Sequence, residues 1–307
     1  MRIPLMVAVR SLMVLLAFGG GAAGVAAEPV NHREFQLPSL YHVGFWVRDM
    51  AKARAFYHDF LGYEEPYELR RPNGDLQMVV MKVNERQVIY LFTDATKILP
   101  NGDNLDHLGL ESDNLEAARA HLLAHGVKVD TVHRGRIGDF LLGVSDPDGR
   151  HYEITQFAPE GQLLKHRGES LPPTRVSARL RSATIATADL AAALHFYVDI
   201  LGFKKIAAAD HAGAVRVQMP DGTEFIELAP YETKPGAVAA RAVPEYCLEV
   251  ADVAKTAESL TVRAKALGIA PPAALSIARD GRRQTSCIDP DGTIVVFKEA
   301  AATAREK

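Results

Sequence analysis

Cysteine and tryptophan are nearly absent from this 307-residue chain, which has two cysteines, Cys247 and Cys287, and one tryptophan. A lone cysteine pair cannot form the multi-bridge framework of a small secreted domain, so both are expected to be small strand residues. No long lysine or arginine run is present and the formal charge is −3, so no nucleic-acid partner is expected. The strongest apolar stretch, Ser11 to Phe18, falls short of the ~20 residues that a membrane span needs. The remaining composition, 48% hydrophobic and 24% charged, excludes a disordered or fibrous chain.

That short apolar stretch follows Arg2 and Arg10 and precedes a small-residue segment ending Val25-Ala26-Ala27. Positive start, apolar middle and small residues before Glu28 are the marks of a secretory signal over residues 1–27. With no cysteine near the cut, no lipid anchor is expected there. The mature chain is expected in the periplasm or outside the cell, with no membrane attachment after cleavage. Losing the two arginines leaves it more acidic.

The chain repeats itself. Asp49, Phe56, Tyr57, Asp59, Leu61 and Gly62 recur 140 positions later as Asp189, Phe196, Tyr197, Asp199, Leu201 and Gly202. The turn Asp146-Pro147-Asp148-Gly149 recurs as Asp289-Pro290-Asp291-Gly292. A repeat of this length marks two copies of a domain of roughly 120 residues. They are placed at 38–158 and 179–299, with a polar, proline-bearing linker over 159–178.

Each copy divides again. Leu40–Val47 alternates, with Val43, Phe45 and Val47 on one face. Asp49 stands at a helix cap and Gly62 at a helix stop, and Phe56, Phe60 and Leu61 lie between them. Strands are expected over Leu76–Val83 and Gln87–Phe92. The same order restarts at His107: strand His107–Glu111, cap Asp113, helix Leu115–Ala124, stop Gly126. Strands Val127–Val132, Phe140–Ser145 and His151–Phe157 follow, the last two joined by the Asp-Pro-Asp-Gly turn. The pattern is a βαβββ module used four times, an α+β arrangement. Four modules in one chain complete both clefts internally, so the protein is expected as a monomer or homodimer.

Four such modules, with this helix signature and turn, resemble the vicinal-oxygen-chelate superfamily of glyoxalases, bleomycin-binding proteins and extradiol dioxygenases. The resemblance covers nearly all of residues 38–299. It implies two tandem domains, each a curled mixed sheet around a cleft, with metal ligands on the first and last strands of each module. Those positions fall on His42, His107 and Glu153 in the first copy. Strand parity turns each toward the cleft, away from Val43, Leu108 and Ile154. Two imidazoles and a carboxylate suit Fe(II), Mn(II) or Zn(II) and leave positions open for substrate oxygens. The fourth family position holds Tyr90, which points to a three-ligand site. In the second copy the same positions hold Ser182, Glu245 and Val296, with Glu227 at the fourth, so that site is expected to have decayed. Lys298 is a candidate ion-pair partner for Glu227 or Glu245.

The ligand set resembles an extradiol dioxygenase more than a glyoxalase. Against that, the tyrosine expected three residues before the turn is Gly143, His133 is offset from the expected histidine, and the candidate site is in the first copy rather than the second. Arg70, Arg71, Arg134 and Arg136 are available for a phosphonate-binding pocket, though loop arginines are more often solvated. A lyase or isomerase needs a base, for which Tyr90 and His151 are candidates. His58, His121 and His125 are expected on helix surfaces. Two classes remain open: a metal-dependent enzyme acting on a small substrate with vicinal oxygens, and a non-catalytic protein that sequesters a small molecule.

Overall fold

The computed structural model describes residues 33–99, 102–206, 209–231 and 244–301, all within one compact unit. The expected signal, residues 1–27, lies outside the described residues. In the first copy the strands are β1 (Leu40–Trp46), β2 (Glu68–Arg70), β3 (Leu76–Lys82), β4 (Val88–Phe92), β5 (Leu105–Glu111), β6 (His133–Arg134), β7 (Phe140–Ser145) and β8 (His151–Gln156). In the second they are β9 (Leu180–Thr187), β10 (Lys204–Ile206), β11 (Val215–Gln218), β12 (Phe225–Pro230), β13 (Glu245–Val250), β14 (Ser276–Ile277), β15 (Arg283–Ile288) and β16 (Ile294–Glu299). Each copy makes one mixed sheet, ordered β2-β3-β4-β1-β5-β8-β7-β6 and β10-β11-β12-β9-β13-β16-β15-β14. Within a module the first and last strands run parallel, and the two modules meet antiparallel at β1–β5 and β9–β13.

Among the described residues, five α-helices connect the strands: α1 (Met50–Arg54), α2 (Leu115–Ala124), α3 (Gln162–Lys165), α4 (Leu190–Leu194) and α5 (Val253–Leu267). The Asp49 carboxylate caps α1 by accepting from Ala51 and Lys52, and Gly62 ends the segment at φ 79°. Between them the helix does not stay α. From Ala55 to Phe60 it widens into π-type turns, where Leu61 N–H donates to Phe56 C=O at 2.9 Å. The second copy repeats this from His195 to Ile200, with Leu201 N–H on Phe196 C=O at 3.0 Å. The widened turn lets Phe56, Tyr57 and Phe60 all point inward.

Three expectations are corrected. The cap of α2 is Asn114, whose side chain accepts from Ala117 N–H; Asp113 instead accepts from Gln36 N–H at 2.6 Å. Residues 127–132 do not form a strand. Their one backbone pairing with the sheet is a bridge between Val129 and Val144, and the edge strand is the two-residue β6. Val127, Val129 and Val132 pack onto the core while Lys128 and Asp130 are exposed, so the segment is held by its side chains and not by a ladder. Lys298 pairs with Asp210 and Asp280, not with Glu227 or Glu245. Cys247 and Cys287 are free and buried.

One core runs through both copies and collects the helix-side faces of both sheets, with Phe45 packing on Tyr246 at 5.5 Å between ring centroids. The repeated tyrosine and the repeated turn meet across this junction. Tyr57 O–H donates to Asp289 at 2.9 Å, and Tyr197 O–H donates to Asp146 at 2.9 Å. Each copy's helix therefore satisfies the buried turn of the other. Tyr57→Phe leaves the Asp289 carboxyl without that donor and should destabilise the protein by about 2 kcal/mol in denaturant unfolding. A loss below about 0.5 kcal/mol would show that the junction does not rely on this bond.

Candidate metal centre

The centre is built where β1 and β5 run side by side. Their register pairs His42 with Gly109 and Gly44 with His107. Each histidine thus lies beside the glycine of the other module. A Cβ at Gly109 would collide with the His42 ring, and one at Gly44 would sit 3.1 Å from His107 Cε1. The paired sequences His42-Val43-Gly44 and His107-Leu108-Gly109 are one device used twice. Two facing imidazoles on adjacent strands need the opposite residues to have no side chain. The second copy has Thr184 opposite Glu245 and Cys247 opposite Ser182, so that space is gone.

A shift in register between Leu40 and His42 marks a bulge in β1. Beyond it Tyr41 turns from strict alternation and joins Tyr90, Met78, Val80 and Val88 in a second apolar cluster, on the cleft side of the sheet. His42 is fully buried against this cluster, its ring 4.3 Å from Tyr41 and 4.4 Å from Tyr90.

His42, His107 and Glu153 converge. Each offers one ligand atom, and the three atoms lie within 4.8 Å of one another. The His42 and His107 rings stand perpendicular with centroids 4.7 Å apart, and His107 Nε2 is 3.4 Å from a Glu153 oxygen. Both His42 nitrogens are buried with no hydrogen-bond partner, and His107 Nε2 is buried with only its long contact to Glu153. Buried polar atoms are normally satisfied, so the orphaned nitrogens of His42 require an account. A divalent cation would supply it. The residues fit one: neutral nitrogen and carboxylate donors, and glycines that cradle the rings.

Electrostatics agree. Burial, then the charge on the neighbouring His107, hold the His42 imidazole well below its usual range, so its lone pair is free. Burial alone would lower His107 too, but the Glu153 and Asp106 carboxylates outweigh it and push His107 up. Burial would raise Glu153, and the His107 charge overrides it and pulls the carboxyl down. A protonated His107 and an ionised Glu153 thus attract each other, and a cation bound there would have to displace that proton.

His107 has a further partner, which strand parity did not reveal. Its Nδ1 lies 2.7 Å from Asp106, and the other Asp106 oxygen accepts from Trp46 Nε1 at 2.9 Å. A carboxylate on the far nitrogen fixes the tautomer and aims Nε2 at the site. The chain's single tryptophan holds that carboxylate in place.

The two candidate catalytic residues flank the ligands. Tyr90 is buried and its hydroxyl is unpartnered. Burial, then the Tyr67 and Tyr41 hydroxyls, hold the phenol well above its usual range. His151 is half-buried, paired in register with His107, with ring centroids 5.9 Å apart. Burial and the His107 charge keep it neutral. Gly143 lies opposite Glu153 on β7, and the space that its missing side chain leaves is filled by Asp130 and His151.

The remaining candidates are elsewhere. His133 is exposed on β6, bonded to Thr131 C=O. Arg70 pairs with Glu68 and Arg134 with Glu160, while Arg71 and Arg136 donate to carbonyl oxygens. His58 bonds its neighbour Asp59, and His125 ends α2. His121 is only half-exposed, because it bonds Ile200 C=O of the second copy at 2.8 Å.

The second copy fills its cleft with charge. Glu227 accepts from His211 Nδ1 at 2.6 Å, Arg216 Nε at 2.8 Å and the backbone N–H groups of Asp210 and His211. Arg216 also pairs with Asp210 and Asp280. Every lone pair that Glu227 would offer a metal is already taken. Among the described residues, the first copy's cluster is the one group able to hold an ion.

Comparison with known proteins agrees with this architecture. The sequence pattern of the glyoxalase/bleomycin resistance protein/dioxygenase superfamily matches twice, over residues 41–140 and 179–297. An uncharacterised Escherichia coli K12 protein, YaeR, is 30% identical over 126 residues, 38% of this chain and 95% of that one. A Mn(II)-bound glyoxalase from Novosphingobium aromaticivorans superposes with a TM-score of 0.63 at 17% identity, over 86% of this chain and 83% of that one. A catechol 2,3-dioxygenase superposes at 0.64 and 16% identity, over 89% and 92%. At these identities the two solved structures establish the fold alone.

Removing the carboxylate behind His107 should weaken metal binding without removing a ligand. Asp106→Ala is expected to lower Mn(II) or Zn(II) affinity 10- to 100-fold by titration calorimetry, and Asp106→Asn by less. Unchanged affinity in both would show that Asp106 does not position His107.

Proposed function

Because the chain belongs to the glyoxalase/bleomycin resistance protein/dioxygenase superfamily, we propose that its first copy is a divalent-metal-dependent enzyme acting on a small substrate with two adjacent oxygens. One observation carries this: two buried imidazoles, one with both nitrogens unpartnered, converge with a carboxylate within one ion's reach. Bound to His42, His107 and Glu153, Fe(II), Mn(II) or Zn(II) would polarise the adjacent oxygens of a chelated substrate. With Tyr90 in the fourth family position, three protein ligands leave the other positions for substrate, and this supports extradiol-type ring cleavage as the reaction.

The flanking residues have complementary roles. Tyr90 stays protonated at neutral pH, so its hydroxyl donates a hydrogen bond to a substrate oxygen. His151 stays neutral and accepts a proton from the substrate hydroxyl as it binds. The apolar cluster around Tyr41, Val80 and Tyr90 keeps water from His42. A neutral base beside the ligands also supports a second reading, a lyase or isomerase that moves a proton next to a carbonyl.

We also propose export, from the signal pattern of residues 1–27; N-terminal sequencing of the exported chain should then begin at Glu28.

Metal analysis of the purified protein should find one divalent ion per chain, and Glu153→Ala should lose it. With Fe(II) restored, catechol should drive oxygen uptake. Metal without oxygen uptake favours the lyase or isomerase, and absence of metal in the wild type would leave a non-catalytic binding protein.

A further inference from the structure

One end of the first copy's cleft is closed by chain expected to be a linker. Residues 159–178 contain α3, a single turn, and it carries Leu163 into the apolar cluster with Tyr41, Val80 and Tyr90. Ile137 joins the same cluster from the turn between β6 and β7. Both side chains are buried. They stand one layer beyond the metal ligands, because Tyr41 and Tyr90 are rings that pack on His42. The other end of the cleft differs. There the Glu153 side chain keeps 26% of its surface and His151 is half-buried.

The closing segments are tied down on several sides. Gln162 N–H donates to Ile137 C=O at 2.8 Å, which joins α3 to the turn. Ala158 N–H donates to Asp139 at 2.9 Å, and Gly161 leaves that carboxylate the space that a Cβ would take. Arg136 reaches from the second module to the first, donating to Arg70 C=O and to the Gln77 side chain. Beyond α3, Lys82 is fully buried and donates to the carbonyl oxygens of His166 and Glu169. A lysine is almost never buried without a partner for its charge, and Glu85 supplies one at 3.0 Å. A solvated linker has no use for a buried lysine; a segment that must hold one side chain in a cleft does.

We infer that Leu163 and Ile137 are specificity-determining residues of the first copy's site, ending its cleft and limiting the size of the ligand that it accepts. This rests on the metal centre proposed above and adds what the site refuses. A molecule held at His42, His107 and Glu153 that extends past Tyr90 meets two branched aliphatic side chains packed among aromatic rings. An added ring there has no space, and packed interiors do not absorb added volume cheaply. The ligand class is therefore a compact molecule, and a bulky apolar extension on the Tyr90 side is rejected by steric exclusion, not by charge. The stretch between the copies thus has a part in recognition beyond joining them.

The test uses the full chain loaded with Co(II) and two probes that bind the metal through one nitrogen, imidazole and 4-phenylimidazole, read in the visible spectrum. Leu163→Ala and Ile137→Ala should each bind 4-phenylimidazole at least tenfold more tightly than the wild type does, with imidazole unchanged. Leu163→Val, a milder truncation, should move the same way by a smaller factor, and Leu163→Met should stay at the wild-type value. Leu122→Ala removes a buried leucine on the core side of α2 and should leave both probes unchanged. In the Zn(II)-loaded Leu163→Ala protein, the phenyl protons should show nuclear Overhauser contacts to the Tyr90 ring. Normal Co(II) and imidazole binding without the selective gain, or phenyl contacts to Phe92 and His151 instead of Tyr90, would overturn this inference alone. Failure of the wild type to take up Co(II) and imidazole would refute the metal centre and this inference with it.

Discussion

The site depends on a steric exchange between two neighbouring strands. His42 occupies space that only Gly109 leaves open, and His107 does the same over Gly44. This places two imidazoles with perpendicular rings on one face, fully desolvated, before any ligand is present. Burial then acts on each in its own way. It frees the His42 lone pair, and it leaves His107 dependent on the carboxylates of Glu153 and Asp106. His107 finds Asp106 and Glu153, but both His42 nitrogens have no partner within the protein, and that unmet need is what makes the cluster a candidate metal centre. Asp106 and Trp46 extend the arrangement outward by setting the direction of one ring.

The same scaffold in the second copy shows the alternative outcome. Thr184 and Cys247 stand where glycines would be, and the cleft is neutralised internally by Arg216, Lys298, Asp210, Asp280 and Glu227. Buried ion pairs of this kind hold a fold only while every partner is present. The second copy has exchanged a vacant donor set for a closed one. It stays joined to the first through reciprocal tyrosine-to-turn bonds, Tyr57 to Asp289 and Tyr197 to Asp146.

Much of this was legible in the residues. The 140-residue shift gave the two copies, alternation gave β1, the repeated turn gave the β7–β8 hairpin, and the family positions named the three residues that the fold brings together. The Tyr57, Tyr197 and Asp-Pro-Asp-Gly matches were visible as repeats, but pairwise similarity cannot say that repeated residues touch each other across copies. The two His-x-Gly triplets were in plain view. Their meaning needed the register of β1 against β5, which depends on a bulge at Tyr41 that alternation does not predict. Asp106 was hidden for a related reason: parity sends it away from its neighbour's face, yet its carboxylate bends back onto the ring it precedes. The edge of the sheet was the least legible part, because residues 127–132 alternate as a strand does and bury Val127, Val129 and Val132, yet pair with the sheet only at the Val129–Val144 bridge.

The most direct test of the account is anomalous diffraction from crystals soaked in Mn(II). One peak per chain is predicted, enclosed by His42, His107 and Glu153, with none in the second copy's cleft. A peak between Glu227 and Glu245, or no peak at the first site, would contradict it.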